Sequence, residues 1–97
     1  MSRSFYVVSY DIADDRRRTR VHDLLKTFGK RVQYSVFCCE LSRSSLLRLR
    51  EQLRERILLT EDRVLFANLG PVEGRADKAL TTLGLPWTPP ERGPTIV

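Results

Sequence analysis

The sequence is poor in the residues that build zinc sites and disulfides. It holds one histidine, and its only two cysteines, Cys38 and Cys39, are adjacent in the chain. Neighbouring side chains of a strand point to opposite faces, so the geometry disfavours a disulfide between these two. The absence of a Cys-x-x-Cys pair argues against a zinc site. We therefore expect two buried or half-buried free thiols in a reducing compartment.

Long apolar runs are also missing. No run of hydrophobic residues approaches the roughly 20 that cross a bilayer, and the N-terminus lacks the apolar segment of a signal peptide. The 97 residues are 41% hydrophobic and 30% charged, which is typical of one small folded domain. We expect a cytoplasmic protein with no membrane partner.

Basic charge, by contrast, is abundant and is carried mainly by arginine. Seventeen basic residues, fourteen of them arginine, stand against twelve acidic ones and give a net charge of +5. The planar guanidinium suits phosphate better than the point charge of lysine. Nucleic acid, either RNA or duplex DNA, is therefore the expected partner. A solvated surface without a partner is compatible with the same composition.

The spacing of apolar residues predicts strands and helices in turn. A run at residues 4–10 is apolar on both faces and predicts a central strand, and a helix follows with Asp14 or Asp15 as its N-cap and a glycine as its stop. Residues 30–41 predict either one bent strand or two short strands around residues 33–35.

A serine-rich stretch then introduces a second helix, whose N-cap is expected at Ser42, Ser44 or Ser45. Residues at helical spacing form its apolar stripe, namely Leu46, Leu49, Leu53 and Ile57. A further strand is expected to begin at Glu61 and Asp62 and to end at Gly70 and Pro71.

This order of elements predicts an α+β fold. We expect a ferredoxin-like β-α-β-β-α-β sandwich, with two helices on one face of an antiparallel sheet. Residues 1–70 form this core, and residues 71–97 form an extension with an additional C-terminal strand at 95–97 and a contact to a second copy. The apolar first strand and the isolated last one predict a homodimer through the other face of the sheet.

Charged residues collect where the first strand leaves the core. Asp11 ends the apolar run, and a cluster of arginines follows it, namely Arg16, Arg17, Arg18 and Arg20. A carboxylate fixed by strand backbone can hold a divalent cation, while a helix start and guanidinium groups attract phosphate. The plainer alternatives are a turn residue for Asp11 and a solvated, self-paired helix start for the charge run.

Three separated motifs, VVSYDI, DDRRR and GKRVQYSVFCCEL, resemble the CRISPR-associated protein 2 family over roughly residues 4–69. The resemblance implies ferredoxin-like homodimers with metal-dependent cleavage of single-stranded RNA or double-stranded DNA. It makes Asp11 the catalytic and metal-binding acid, close to its counterpart in a second subunit. The implied cofactor is Mg²⁺, with Mn²⁺ as an alternative.

The same resemblance assigns the surrounding residues. It links Arg18, Arg20, Arg31 and Phe37 with activity, the three arginines as nucleic-acid contacts. We assign phosphate contacts to Arg16 and Arg17 as well. Supporting roles are assigned to Phe37, to Asp14, which holds the turn, and to Ser35.

Two functions are compatible with these features. The first is a homodimeric endonuclease acting in the spacer-acquisition stage of CRISPR systems. The second is a non-catalytic DNA-binding scaffold that bridges dimers of the CRISPR integrase, CRISPR-associated protein 1. A ferredoxin-like module for a small ligand is a third alternative, but the chain lacks a glycine-rich phosphate loop. The RNP1 pattern of a sequence-specific RNA reader is missing too.

Overall fold

The computed structural model describes residues 2–74 and 78–88 of the chain. Four strands and two helices alternate in the predicted β-α-β-β-α-β order, which is thereby confirmed. Their bounds are β1 Arg3–Asp11, α1 Asp15–Phe28, β2 Gly29–Gln33, β3 Val36–Ser42, α2 Arg43–Arg54 and β4 Arg63–Pro71. Of the two readings of residues 30–41, the pair of short strands is the one observed.

The four strands form one antiparallel sheet in the order β2-β3-β1-β4, with β1 and β3 at its centre. Both helices pack on the same face, and one core fills the space between them and the sheet. The sheet contributes alternate residues of its central strands to this core, and the helices contribute their apolar stripes. The fully buried members include Val8, Phe37, Cys39, Val21, Leu25 and Leu49.

Each helix begins at a residue whose side chain caps it. The Asp14 carboxylate accepts a hydrogen bond from the backbone N–H of Arg17 at 2.9 Å, and the Ser42 hydroxyl accepts one from Ser45 at 3.1 Å. These bonds satisfy backbone donors that the helices leave unpaired. Of the residues proposed as caps, Asp14 and Ser42 are therefore the ones used.

Gly29 joins α1 to β2 at a point where two backbones meet. A Cβ atom at this position would lie 2.5 Å from the carbonyl oxygen of Cys38 and would collide with the Cys39 side chain. This close approach leaves no room for a side chain, and it accounts for the glycine at the end of α1. Its backbone is extended, so the left-handed conformation common at helix ends has no part in it.

The sheet face away from the helices is covered over part of its length. A bulge in β4 between the partners of Phe5 and Tyr6 turns Leu69 toward this face, and Gly70 follows with a positive φ of 103°. Phe5 is buried there with Cys38 and Val72, and Trp87 packs against them.

The rest of that face is open, and we call it the open face. It consists of Val7, Ser9, Leu65 and Ala67, which lie opposite one another in the β1–β4 register. Leu65 is 54% exposed, and the other three are half-buried. The described part of the chain thus leaves an apolar strip uncovered, and this strip leads to the end of β1.

The C-terminal extension is described only in part. Residues 72–74 and 78–88 follow β4, with Val72 and Trp87 packed on the sheet and Leu83 and Leu85 exposed. The strand expected at residues 95–97 lies outside the described residues, and the division at residue 70 stays a prediction. Neither described helix combines the length and the apolar composition needed to span a membrane.

Candidate functional site

Asp11 is the last residue of β1 and is exposed to solvent. Its side chain projects on the side of the open face, since it alternates with Tyr10, which belongs to the core. The register places Arg63 directly opposite it on β4. Within residues 2–74 and 78–88, no hydrogen bond or ion pair engages the Asp11 carboxylate. It is therefore available to an external ligand.

The other acidic residues near this strand end are already occupied. Asp14 caps α1, Asp15 pairs with Arg18, and Asp62 is held by Arg17. No cluster of three metal-ligating side chains occurs in the described ranges. Magnesium commonly takes one or two carboxylates and completes its shell with water and phosphate oxygens. One chain therefore offers one suitable ligand, and the donor set fits such an ion when a second copy supplies a second Asp11.

Two arginines of the predicted cluster are exposed on α1. Arg16 and Arg20 lie on the outer surface of the helix, and no ion pair engages either within the described residues. Arg16 stands in the first turn, where unpaired backbone N–H groups add partial positive charge. Both side chains can reach a phosphate without breaking an existing contact.

Arg17 is engaged within the chain instead. Its guanidinium donates to both carboxylate oxygens of Asp62, at 2.7 and 3.1 Å, and contacts Glu61 at 3.4 Å. Asp62, whose side chain is 1% exposed, also accepts from the backbone N–H of Leu58 at 2.8 Å. The contact of Arg17 with nucleic acid stays a prediction, and it would compete with this pairing.

The same interaction corrects one predicted boundary. The last core strand was expected to begin at Glu61 and Asp62, but β4 begins at Arg63. The backbone N–H groups of Glu61 and Asp62 both donate to the carbonyl oxygen of Leu58, which makes a turn of these residues. Their carboxylates are thereby directed to Arg17 on α1, so the turn after α2 is tied to the start of the first helix.

We expect this tie to make the protein sensitive to acid. The hydrogen bond from Arg17 lowers the pKa of Asp62 below its ordinary range. A carboxyl whose pKa is lower in the folded state stabilises the fold above the unfolded-state value, roughly pH 4, and this stabilisation is lost as the pH falls through the folded-state value. Asp62→Asn should therefore flatten the loss of stability below about pH 4, measured by denaturant unfolding across pH.

A control substitution should leave the loss of stability below about pH 4 as it is in the unmodified protein. Asp23 is exposed on α1, and no ion pair engages it in the described part of the chain. Asp23→Asn should unfold with the pH profile of the unmodified protein. If the Asp62→Asn protein lost stability below about pH 4 as the unmodified protein does, the role given to the Arg17–Asp62 pair would be contradicted.

Arg18 is held in place by the turn that follows β1. Its guanidinium donates to the carbonyl oxygens of Ile12 and Ala13, at 3.0 and 3.2 Å, and pairs with Asp15. Arg31 lies on the edge strand β2, where its guanidinium stacks over the ring of Tyr34 at 5.2 Å. The structure therefore gives these two arginines fixed surroundings, unlike Arg16 and Arg20.

Arg18 and Arg31 both line a small hollow on the helix side of the sheet. The hollow has a volume of about 160 Å³ and lies beside the end of β1. We call it the tyrosine hollow, and it is lined by Tyr10, Arg18, Thr19, His22, Arg31 and Tyr34. Burial raises the pKa of the Tyr10 phenol, and Tyr34 adds to this, so the phenol remains protonated at neutral pH. Asp11 and the hollow thus lie on opposite faces of one strand end.

The residues given supporting roles serve the fold around this strand end. Phe37 is fully buried in the core and meets the ring of His22 edge to face, with centroids 5.5 Å apart. The carbonyl oxygen of Ser35 accepts from the backbone N–H of Tyr10 at 3.2 Å, and Asp14 caps α1. None of the three forms a hydrogen bond with the Asp11 carboxylate in the described part of the chain.

Two features of the site were missed from the sequence. Arg63 lies across from Asp11, and the tyrosine hollow joins residues from β1, α1, β2 and the turn after it. The alternation of side chains around Arg63 could have indicated on which face of the sheet it lies. That Asp11 is the residue opposite it depends on the β1–β4 register, which the sequence does not report. The hollow depends on how the helix packs, and no spacing in the sequence reports that.

Comparison with known proteins identifies the family to which this fold belongs. The model of the family described as CRISPR associated protein Cas2 matches residues 4–73. The chain belongs to the Cas2 family. The match spans all six elements, from β1 to the residues just after β4, so the ferredoxin-like α+β fold is the fold of this family.

Individual relatives support the same assignment. The chain is 51% identical over 61 residues to a Synechocystis protein named CRISPR-associated endoribonuclease Cas2 3, covering 63% of this chain and 66% of that protein. It is 40% identical over 77 residues to a Thermus thermophilus CRISPR-associated endonuclease Cas2 2, covering 79% and 82%. A crystal structure of a hypothetical protein from Thermus thermophilus superposes with a TM-score of 0.76 at 38% identity, covering 91% and 99%.

The names of these two Cas2 relatives agree on one activity, and only the first of them also specifies a substrate. Both are called nucleases of CRISPR systems, one an endoribonuclease and the other an endonuclease. At the level of the family, a nuclease role in CRISPR is therefore supported. The metal, the choice between RNA and DNA and the partners of this chain belong to the proposal that follows.

Proposed function

We propose that this Cas2 chain is a metal-dependent endonuclease that hydrolyses phosphodiester bonds in single-stranded RNA or double-stranded DNA during CRISPR spacer acquisition. The observation that carries the proposal is the Asp11 carboxylate, which is exposed at the rigid end of β1 and engaged by no described residue. A carboxylate that the fold does not use, beside a helix start rich in arginine, fits a role toward an external cation and phosphate.

The proposal includes a second copy of the chain. The open face presents Val7, Leu65 and Ala67 next to Asp11, and an apolar strip of this kind favours burial against another surface. A twofold axis along this strip would bring two Asp11 side chains toward each other from a single sequence position. Two carboxylates, substrate oxygens and water then match the shell that Mg²⁺ or Mn²⁺ requires.

Each group of the site has a separate task in this mechanism. Asp11 would hold the ion, which when bound would polarise a phosphoryl oxygen and activate a water. Arg16 and Arg20 hold neighbouring phosphates and offset their charge as it grows in the transition state. Arg63 lies opposite Asp11, and it would contact the phosphate that is bound at the ion. The stable fold beneath β1 keeps the carboxylate in position.

Removal of divalent metal is expected to stop cleavage. The purified protein should cut a labelled single-stranded RNA or a duplex DNA in the presence of Mg²⁺ or Mn²⁺, and excess chelator should abolish the cleavage. Adding back either metal should restore it, which separates metal loss from unfolding. Cleavage at an unchanged rate in chelator, with no residual metal detected by mass spectrometry, would contradict the proposed mechanism.

A second function is favoured by the exposed arginines. Arg16 and Arg20 lie on the outside of α1 and lack ion-pair partners in the described residues, so a dimer would carry two such basic surfaces. A scaffold that holds duplex DNA between integrase dimers, those of CRISPR-associated protein 1, would use these surfaces without needing Asp11. Its binding would be salt-sensitive and tolerant of sequence. The Asp11→Asn protein separates the two functions, as argued below.

A further inference from the structure

The tyrosine hollow lies beside the strand end that carries Asp11, but on the other side of the sheet. Tyr10 projects into the helix layer, whereas Asp11 alternates to the open face. The hollow is therefore a separate place on the molecule, reachable by a nucleic-acid strand that passes around the end of β1. Neither the candidate metal site nor the exposed arginines of α1 account for it.

The lining of the hollow is basic. It contains the guanidinium groups of Arg18 and Arg31 and the imidazole of His22, and no carboxylate is among its lining residues. Arg18 is already fixed by two backbone carbonyl oxygens and by its pairing with Asp15 outside the hollow lining, so it loses little conformational freedom when an anion binds. Arg31 uses its Nε for the carbonyl oxygen of Gln33 at 3.3 Å, which leaves its terminal nitrogens to point elsewhere.

Tyr10 adds a donor that is weakly used. Its hydroxyl lies 3.4 Å from His22 Nδ1 and 3.4 Å from the carbonyl oxygen of Tyr34. Good bonds from a hydroxyl are near 2.8 Å, so both contacts are long. A phosphate oxygen in the hollow would therefore offer Tyr10 a better acceptor than the protein does.

Tyr34 gives the hollow an aromatic rim. It stands at the tip of the turn between β2 and β3 and is 68% exposed, with the Arg31 guanidinium stacked on its ring. An exposed tyrosine at a turn contributes nothing to the core. Aromatic rings and stacked guanidinium groups are the surfaces on which unpaired bases stack.

The size of the hollow restricts what can enter it. Sites that enclose a whole small molecule have volumes of about 300–1,000 Å³, and 160 Å³ is well below that range. The ligand must therefore insert only an end group. A terminal phosphate carries about −1.5 to −2 charge at pH 7, which is more than the single charge of a phosphodiester within a strand. Two guanidinium groups and a phenol suit the more highly charged group.

We propose that the tyrosine hollow binds the phosphorylated end of a nucleic-acid strand, with the phosphate between Arg18 and Arg31 and the end base on Tyr34. Such binding presupposes the nucleic-acid function proposed above, but it needs neither Asp11 nor a metal. It would distinguish strand ends that bear a phosphate from those that bear a hydroxyl. An acidic peptide would satisfy the two arginines but would leave the aromatic rim unused.

Fluorescence polarisation with short single-stranded oligonucleotides tests this inference. The probes carry a 5′ phosphate, a 3′ phosphate or hydroxyl groups only, with the fluorophore at the other end, and chelator is present so that nothing is cleaved. We expect one of the phosphate-ended probes to bind roughly tenfold more tightly than the hydroxyl-ended probe, as one charge-assisted contact provides. The two phosphate positions show which strand end is recognised.

Variants connect the preference to the hollow. Arg31→Ala and Tyr34→Ala change exposed side chains, so both proteins should fold. Arg31→Ala should reduce the preference for the phosphate to less than about twofold, whereas Tyr34→Ala, which removes the surface for the end base, should weaken the binding of every probe. Arg54→Ala, which removes a guanidinium from a separate hollow beside β4, should keep it. Asp11→Asn should keep it too, even where cleavage is lost, so that failure of the nuclease proposal and of this one are distinguishable.

Three results would overturn the proposal. Equal affinity for phosphate-ended and hydroxyl-ended probes would remove its basis. A preference that survives Arg31→Ala would place the recognition elsewhere on the molecule. An acidic peptide that displaces the phosphate-ended probe more effectively than an unlabelled phosphate-ended oligonucleotide would assign the hollow to a protein partner.

Discussion

Asp11→Asn is expected to abolish cleavage and to leave the fold unchanged. The side chain is exposed and contacts no described residue, so an amide of the same shape removes nothing that the fold uses. It does remove the negative charge that would hold the cation. Metal-ion stabilisation of the transition state is worth several kcal/mol, and each 1.4 kcal/mol is about tenfold in rate. We therefore expect cleavage to fall by about 10²–10³-fold in a single-turnover assay.

Asp23→Asn is the matched control for this change, since it removes an exposed carboxylate from α1, and we expect it to leave cleavage unchanged. Mixed dimers sharpen the test further. If two Asp11 side chains share one ion, a dimer with one altered chain should lose most of its activity. Full or half activity in purified mixed dimers would contradict a shared ion.

The same variant separates the nuclease from the scaffold. A scaffold that uses Arg16 and Arg20 would bind duplex DNA with unchanged affinity after Asp11→Asn, and spacer acquisition in cells would continue. Acquisition that stops, while the fold and DNA affinity are intact, would contradict the scaffold function. Continued acquisition without cleavage would show that the nuclease activity is dispensable for this role.

Phe37→Ala is expected to cause the largest loss of stability among the candidate site residues. The ring is fully buried in the core shared by the sheet and α1, and it meets His22 edge to face. Truncating a buried phenylalanine to alanine costs about 3–5 kcal/mol, and a domain of this size is stable by only about 5–15 kcal/mol. The midpoint of denaturant unfolding, followed by the fluorescence of the single tryptophan, Trp87, should fall sharply.

Phe37→Leu distinguishes packing from chemistry. It keeps most of the buried volume, so we expect a cost of less than about 1.5 kcal/mol and activity per folded molecule close to that of the unmodified protein. A leucine variant that folds stably but cleaves poorly would give the ring a direct role at the site. Without that result, a loss of activity on changing Phe37 reports the loss of the core beneath β1.

Much of the fold could be predicted because its signals are local. The period of the apolar residues separates helices from strands, and short polar side chains mark the helix starts at Asp14 and Ser42. The start of β4 was misplaced because acidic residues before a strand look the same whether they pair locally or reach another element. Asp62 bonds to Arg17, 45 positions away, and no local pattern encodes that distance.

The candidate site could be predicted where a residue stands at an element's end, and not where the site depends on packing. The place of Asp11 at the end of β1 could be predicted because the apolar run stops there, while its role toward a metal stays a prediction. The arginines looked equivalent in sequence, yet the structure gives them three different situations. Arg17 is paired, Arg18 is fixed beside the tyrosine hollow, and Arg16 is exposed. These differences come from tertiary contacts and the rotation of α1 about its axis.

The burial of both cysteines has a practical consequence for studying assembly. Cys38 and Cys39 are buried, and burial, with a contribution from Cys38, raises the pKa of the Cys39 thiol to about 12. Such thiols react slowly with alkylating reagents. A cysteine introduced at the exposed position of Leu47 on α2 would therefore accept a spin label almost alone. Electron–electron distances between two labelled copies would then map their arrangement in solution without any change to the native sulfur atoms.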